Sequence, residues 1–236
     1  MDLKIRGAQK TVLGLFKTHS QTFALAGGTA LELYYFNHRF SKDLDFFSPI
    51  YDPKEILALV KGFEKVLGNP LKLESEMQLK GRAKVRFYIV PIKGASFPLK
   101  IDFVQDVVFD HPEIKKFKGV PVYSVKSIYL QKVIAITGTI LGESPIGAEE
   151  ITGRDEARDV VDLYYLSKEV TPLSEFMKEL PRPYQRGLNI WYRKFSRHDF
   201  KMGVLELELY DQKLDSTEII RYLDNEIKNF FKEEIR

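Results

Sequence analysis

Gly27-Gly28-Thr29-Ala30-Leu31, followed by His38-Arg39-Phe40-Ser41-Lys42-Asp43-Leu44-Asp45-Phe46-Phe47, is the stretch on which the reading of this chain turns. Thr22 to Ala26 is a short apolar run stopped by Gly27-Gly28, the pattern of a buried strand ending in a tight turn. Thr29 is expected to cap a helix reaching about Phe36. Asp43 to Phe47 then reads as a second strand. Residues two apart on a strand share a face, so the carboxylates of Asp43 and Asp45 point one way while Leu44 and Phe46 point to the core. Like charges held that close repel unless a cation lies between them. Oxygen ligands suit Mg²⁺ or Mn²⁺, with substrate phosphates completing the shell. Two acids with this spacing are common at solvated strand ends and mean little alone. A glycine turn opening a helix one step earlier adds a phosphate cradle: glycine lets the backbone approach closely, and a helix N-terminus presents N–H groups.

Outward from this centre, residues 3–18 carry apolar positions at helical spacing (Leu3, Ile5, Val12, Leu13, Leu15, Phe16). Asp52-Pro53 opens a helix to about Leu67, with aspartate as cap and proline in the first turn. Leu71–Glu76, Lys84–Val90 and Leu99–Val104 read as strands of a sheet with helices on one face. Asp102 lies between apolar neighbours on the last of these. Paired beside the first acidic strand it would supply a third carboxylate, and three carboxylates can hold two metal ions for phosphoryl transfer. Ser124 caps a helix over 125–137, a glycine-rich stretch spans 138–154, and Glu156–Lys168 opens further helical segments. The fold class is therefore α/β (α+β): a mixed sheet flanked by helices over 1–120, then a mostly helical domain over 121–236.

Composition sets limits on function. With 44% hydrophobic and 29% charged residues the chain is ordinary for a globular protein. It has no cysteine, which excludes disulfides and thiolate metal sites. No apolar run approaches the roughly 20 residues of a bilayer span, and the first residues lack a signal-peptide core, so a cytoplasmic protein without membrane contact is expected. The net charge of +3 divides unevenly, about +6 over 1–120 and −3 over 121–236. A basic surround of the acidic strand favours phosphates.

The motif at 27–47 resembles that of the AbiEii/AbiGii toxin nucleotidyltransferases, within the DNA polymerase beta-like nucleotidyltransferase superfamily. The resemblance continues in Ser124-Val125-Lys126-Ser127-Ile128-Tyr129-Leu130-Gln131-Lys132 and in Arg158-Asp159-Val160-Val161-Asp162-Leu163-Tyr164-Tyr165-Leu166, covering roughly 20–168. It implies a nucleotidyltransferase fold and a toxin of a toxin–antitoxin or phage-defence pair, using an NTP and Mg²⁺ and modifying tRNA, with a cognate antitoxin. By position, Gly27, Gly28 and Thr29 would bind triphosphate and Asp43 and Asp45 metal. Lys132 would contact nucleotide phosphates, and Asp159 would serve the second half of the site. Asp102 joins the metal ligands by its strand context. The long glycine-rich stretch departs from the shorter, more basic link that the family leads one to expect.

Other residues carry two readings each. A helical lysine such as Lys132 is mostly a solvated surface group; on a polyphosphate it would be a mobile point charge. Asp159 and Asp162, three apart, could form a salt-bridged helix face, or Asp159 could act as a base or orient Lys132 while Asp162 anchors the helix. His38-Arg39 either holds the loop or reaches a phosphate. Arg186, Arg193 and Arg197, at spacings of seven and four, would form a stripe for RNA, with Tyr184, Trp191, Tyr192 and Phe195 available to stack on bases; the plainer reading makes the aromatics core. The function expected is NMP transfer from an NTP to an acceptor hydroxyl, by in-line attack, with nucleotide and acceptor in a cleft that the helical domain completes. The alternatives are the same chemistry on a small molecule or protein, and a non-catalytic nucleotide-binding partner protein.

Overall fold

Leu3–His19 forms the first helix (α1) of the computed structural model, which describes residues 1–78, 83–138, 141–143, 149–151 and 153–234. The Asp2 carboxylate caps it, accepting from the N–H groups of Lys4 at 2.9 Å and Ile5 at 3.2 Å. Its buried face is Ile5, Arg6, Ala8, Gln9, Val12, Leu13 and Phe16, whereas Leu3 is 70% exposed. Strand β1 (Ala24–Ala26) runs into α2 (Gly27–Ala30), which continues as a π-helical turn over Leu31–Phe36. The expected cap at Thr29 is corrected here: the helix starts at Gly27 after Ala26, and the Thr29 hydroxyl, already inside the helix, donates to the Asp43 carbonyl. The turn closes with the Asn37 N–H on the Glu32 carbonyl at 3.0 Å, Asn37 being left-handed at φ 50°.

Next come β2 (Leu44–Ser48), α3 (Pro53–Leu67), β3 (Lys72–Met77), β4 (Val85–Val90), β5 (Leu99–Gln105), β6 (Ile114–Phe117) and β7 (Val120–Tyr123). Among the described residues these strands form one mixed sheet of order β3-β4-β5-β2-β1-β7-β6. Pairs β2–β5 and β1–β7 are parallel; the others are antiparallel. The β6–β7 hairpin escaped the sequence reading. Its turn is Lys118-Gly119, both at positive φ as a primed two-residue turn requires, but with lysine where Asn or Asp would announce it. Pro121 in the return strand adds to the disguise.

One face of the sheet is the core. Leu44 and Phe46 of β2 and Ile101 and Phe103 of β5 are buried under α1 and α3, with Phe16 stacked on Phe46 at 4.0 Å and Phe63 stacked on Phe103 at 6.5 Å. The opposite face carries Asp45 and Phe47, Asp102 and Val104, all half-buried. That alternation is what the sequence of β2 specifies.

The chain divides into two compact units, Met1–Ser127 and Ile128–Arg236, the division falling near the start of helix α4 (Val125–Thr137). Ser124 caps α4, its hydroxyl accepting from the Ser127 N–H at 3.2 Å. A short antiparallel pair, β8 (Leu141–Glu143) and β9 (Glu149–Ile151), follows. Of the glycine-rich stretch 138–154, residues 139–140, 144–148 and 152 lie outside the described ones. The second unit continues with α5 (Ala157–Glu169), α6 (Leu173–Lys178), α7 (Arg182–Lys194), α8 (Arg197–Leu205) and α9 (Ser216–Glu234). Tyr129 stacks flat on Phe176 at 3.9 Å, and Gly187 admits Thr137, whose Cβ an alanine there would meet at 2.8 Å. No described helix is long and apolar enough to cross a membrane.

Candidate active site

Register decides the relation between the acids of the first unit. In the parallel pair β2–β5, Asp45 stands opposite Asp102, Phe46 opposite Phe103 and Leu44 opposite Ile101. Partners in register present side chains on the same face, so two carboxylates from distant parts of the chain are brought together on the face opposite α1 and α3. Asp43 precedes the strand and continues its alternation, half-buried like Asp45. Among the described residues no group of three or more His, Asp or Glu side chains stands together as a ready-made metal cluster.

The glycine turn lies against this pair. Gly27 has φ 67°, a conformation glycine adopts freely. A Cβ there would run into the Asp45 carboxylate, with Cγ at 3.0 Å and Cβ at 3.2 Å. At Gly28 an added Cβ would lie 2.5 Å from Arg39 Nη2 and 2.9 Å from Ser41 Oγ. The two glycines thus let the turn press against the acidic strand on one side and its approach loop on the other. Thr29 is fully buried and its hydroxyl is committed to Asp43, so it ties the turn to the first residue of the motif. His38 and Arg39 are buried, with Phe36 edge-on to His38 at 5.8 Å.

In the second unit a lysine sits between two buried acids. Lys132 Nζ lies 2.6 Å from Asp159 Oδ1 and 2.7 Å from Asp162 Oδ2; both aspartates are 0% exposed and Lys132 8%. Arg154 Nη2 stands 3.3 Å from the other oxygen of Asp159. Burial alone would push the Asp159 carboxyl up, but the Lys132 ammonium and the Arg154 guanidinium outweigh it and hold it below the usual aspartate range. A sealed, ion-paired carboxylate held below the usual aspartate range is poorly suited to taking a proton.

The basic stripe is smaller than its spacing promised. Helix α7 ends at Lys194, with Phe195 and Ser196 separating it from α8, so Arg197 leaves the face of Arg186 and Arg193. Arg197 pairs with Asp224 at 2.9 Å. Trp191 is buried, donates from Nε1 to Asp155 at 2.8 Å and stacks on Phe195 at 4.8 Å. Arg186 and Arg193 remain exposed.

Arg6, Gln9 and Glu32 were not singled out in the sequence. Arg6 Nη1 donates to Gln9 Oε1 at 2.8 Å and Nη2 to Glu32 Oε1; all three side chains are buried. Their signal was position: Arg6 and Gln9 fall on the stripe of Ile5, Val12, Leu13 and Phe16.

Solved structures share this fold. One is a protein from H. pylori provisionally assigned as a nucleotidyltransferase, 19% identical with a TM-score of 0.61 over 100% of this chain and 97% of that one. Another is JHP933 from Helicobacter pylori, 18% identical with a TM-score of 0.59 over 98% and 94% of the two chains. No curated protein matches the sequence. Residues 15–219 match the family model described as nucleotidyl transferase AbiEii toxin, Type IV TA system, and the chain belongs to that family. It is accordingly a transferase of the nucleotidyltransferase class, and the family implies a nucleotide substrate and an antitoxin partner.

Proposed function

We propose that this protein moves a nucleoside monophosphate from an NTP to a hydroxyl of tRNA, forming the oxygen–α-phosphorus bond, breaking the α–β anhydride bond and releasing pyrophosphate and the hydroxyl proton, in a reaction dependent on a divalent cation, as a cytoplasmic toxin used in phage defence. The observation that carries the reading is the register of Asp45 with Asp102 on one open face beside the Gly27 turn. These residues fit a hard cation: Mg²⁺ is commonly held by one or two carboxylates, with substrate phosphates and water filling the rest. Asp45 and Asp102 would hold it, with Asp43 next along the same strand face. When bound, such an ion neutralises phosphate charge and lowers the pKa of an attacking hydroxyl.

The chain's own residues have separate tasks. Gly27 and Gly28 keep side chains out of the way of the acidic strand, so that backbone N–H groups of the turn can meet a triphosphate. Thr29 holds Asp43. Lys132, fixed by Asp159 and Asp162, contributes positive charge to the nucleotide phosphates. In this reading the catalytic acids Asp43, Asp45 and Asp102 all lie in the first unit.

Arg186 and Arg193, seven apart on α7 and exposed, support a polyanionic acceptor. The burial of Trp191 and the pairing of Arg197 favour instead a small-molecule or protein acceptor, since both remove RNA contacts. Incubation with each labelled NTP, Mg²⁺ and total RNA separates the two. Label in tRNA that is lost in Asp45→Ala supports the proposal; label in protein or in a small molecule supports the alternative acceptor. Absence of label together with absence of NTP binding overturns the catalytic reading.

A further inference from the structure

We propose that Arg6, Gln9 and Glu32 are positioning residues for Asp43 and Asp45: a buried polar clamp that fixes the backbone from which the acidic strand departs. Ser41 is gripped on both of its backbone groups. Its N–H donates to Glu32 Oε2 at 2.9 Å, and its carbonyl accepts from Gln9 Nε2 at 3.0 Å. Arg6 joins the two gripping side chains, donating to Gln9 and to Glu32, with its guanidinium 4.9 Å from the centre of the Phe40 ring. Two residues on, the Asp43 carbonyl accepts from Thr29. Three backbone groups within residues 41–43 of the approach loop (Ser41 N–H, Ser41 C=O, Asp43 C=O) are therefore held from α1, α2 and the π-helical turn.

Energetics argue against a purely stabilising role. The clamp takes two places on the apolar stripe of α1, and Gln9 is 0% exposed. Replacing a buried ionic group by well-packed apolar residues is often neutral or stabilising. What this arrangement delivers, and an apolar one would not, is a fixed position for one loop backbone. The π-helical turn contributes by carrying Glu32 inward at 2% exposure. Arg6 and Gln9 precede residues 15–219, the span matched to the family. The role rests on the nucleotidyl-transfer reading, since it concerns the acids assigned to that reaction.

The molecule contains its own control. Glu55 is a second buried carboxylate holding loop backbone, accepting from the N–H groups of Gln21 at 2.8 Å and Thr22 at 3.1 Å and from the Thr22 hydroxyl at 2.6 Å. Glu32→Gln and Glu55→Gln are compared for melting temperature, turnover, Mn²⁺ binding in the presence of NTP, and amide exchange over residues 41–45. Both variants are expected to melt lower. Only Glu32→Gln is expected to lose turnover at saturating NTP, by roughly tenfold or more, as a misplaced catalytic group does. It alone should also weaken Mn²⁺ binding several-fold and speed exchange at Ser41, with the NTP KM nearly unchanged. Gln9→Met, which releases the Ser41 carbonyl and the Arg6 Nη1 donor but leaves Glu32 in place, provides the same readouts should Glu32→Gln not fold. Equal turnover losses in the Glu32 and Glu55 variants, or a lower melting point with unchanged turnover and Mn²⁺ binding, overturn the clamp alone. Wild-type protein that neither transfers nor binds Mn²⁺ with NTP overturns the parent reading and the clamp with it.

Discussion

Asp45 and Asp102 lie side by side on the open face of a sheet, half-buried, whereas Asp159 and Asp162 are sealed inside a helical unit with Lys132 between them. The same side chain serves opposite ends in the two places. On the sheet, register supplies proximity between two half-buried acids. In the helical unit the cation is internal, and the acids spend their charge on placing it. A buried pair of this kind is poor evidence for stability as a goal, yet removing one partner is severe because it strands a charge. The comparison therefore predicts that mutations at the two places fail in different ways: the first in chemistry, the second in folding.

The largest effect is expected at Asp45. Asp45→Ala should reduce transfer about 10³-fold, the scale of several kcal/mol of lost transition-state stabilisation, while the melting temperature moves little. A steady-state assay beside a thermal melt checks both halves; a large fall in melting temperature would erase the contrast. Asp159→Asn should act the other way, costing about 3–5 kcal/mol of stability, or roughly 10 °C in a chain of this size. It also carries a pH signature. The folded-state carboxyl of Asp159 is depressed, so its contribution is fully present above the unfolded aspartate value of about 3.9 and is lost as pH falls through the lower folded value. Urea unfolding of wild type between neutral pH and pH 3 should show an acid-side loss that is smaller in Asp159→Asn.

Gly27→Ala tests the boundary between the two modes. Its left-handed backbone costs an alanine about 1–2 kcal/mol, and the new methyl group displaces the Asp45 carboxylate. Turnover should fall about tenfold or more, beyond what the modest destabilisation explains. The smallest effect belongs to the surface: Arg186→Ala with Arg193→Ala should weaken tRNA labelling only a few-fold and flatten its salt dependence. Unchanged labelling across salt concentrations would remove tRNA contact from α7.

Much of the first unit could be read in advance because its signals are local. Alternation in Leu44-Asp45-Phe46-Phe47 gives the strand and its two faces, and Asp52-Pro53 gives a helix start that the structure keeps, with Asp52 accepting from the Lys54 N–H at 2.8 Å. Asp102 was found by strand context and expected beside the acidic strand, but that it stands opposite Asp45 could not be read, since register between distant strands is written in no short segment. The β6–β7 hairpin was hidden by Lys118 and Pro121. Thr29 was misassigned as a cap because a threonine after two glycines suits that role; only tertiary contact turns it toward Asp43. The arginine stripe overran a helix end at Phe195-Ser196. Arg6, Gln9 and Glu32 look like solvated helix residues until their position on an apolar stripe is weighed.

The parallel pairing of β2 with β5 has a kinetic consequence. It joins residues 44–48 to residues 101–105, and parallel neighbours cannot be linked by a tight turn. The β1–β2 and β4–β5 contacts join nearer segments, while this pairing must close a long loop before any contact rewards it. Asp45 and Asp102 therefore meet late, after most of the first unit has been synthesised and the local hairpins have formed. A nascent chain that has yet to deliver β5 carries Asp45 without the strand that sets Asp102 beside it.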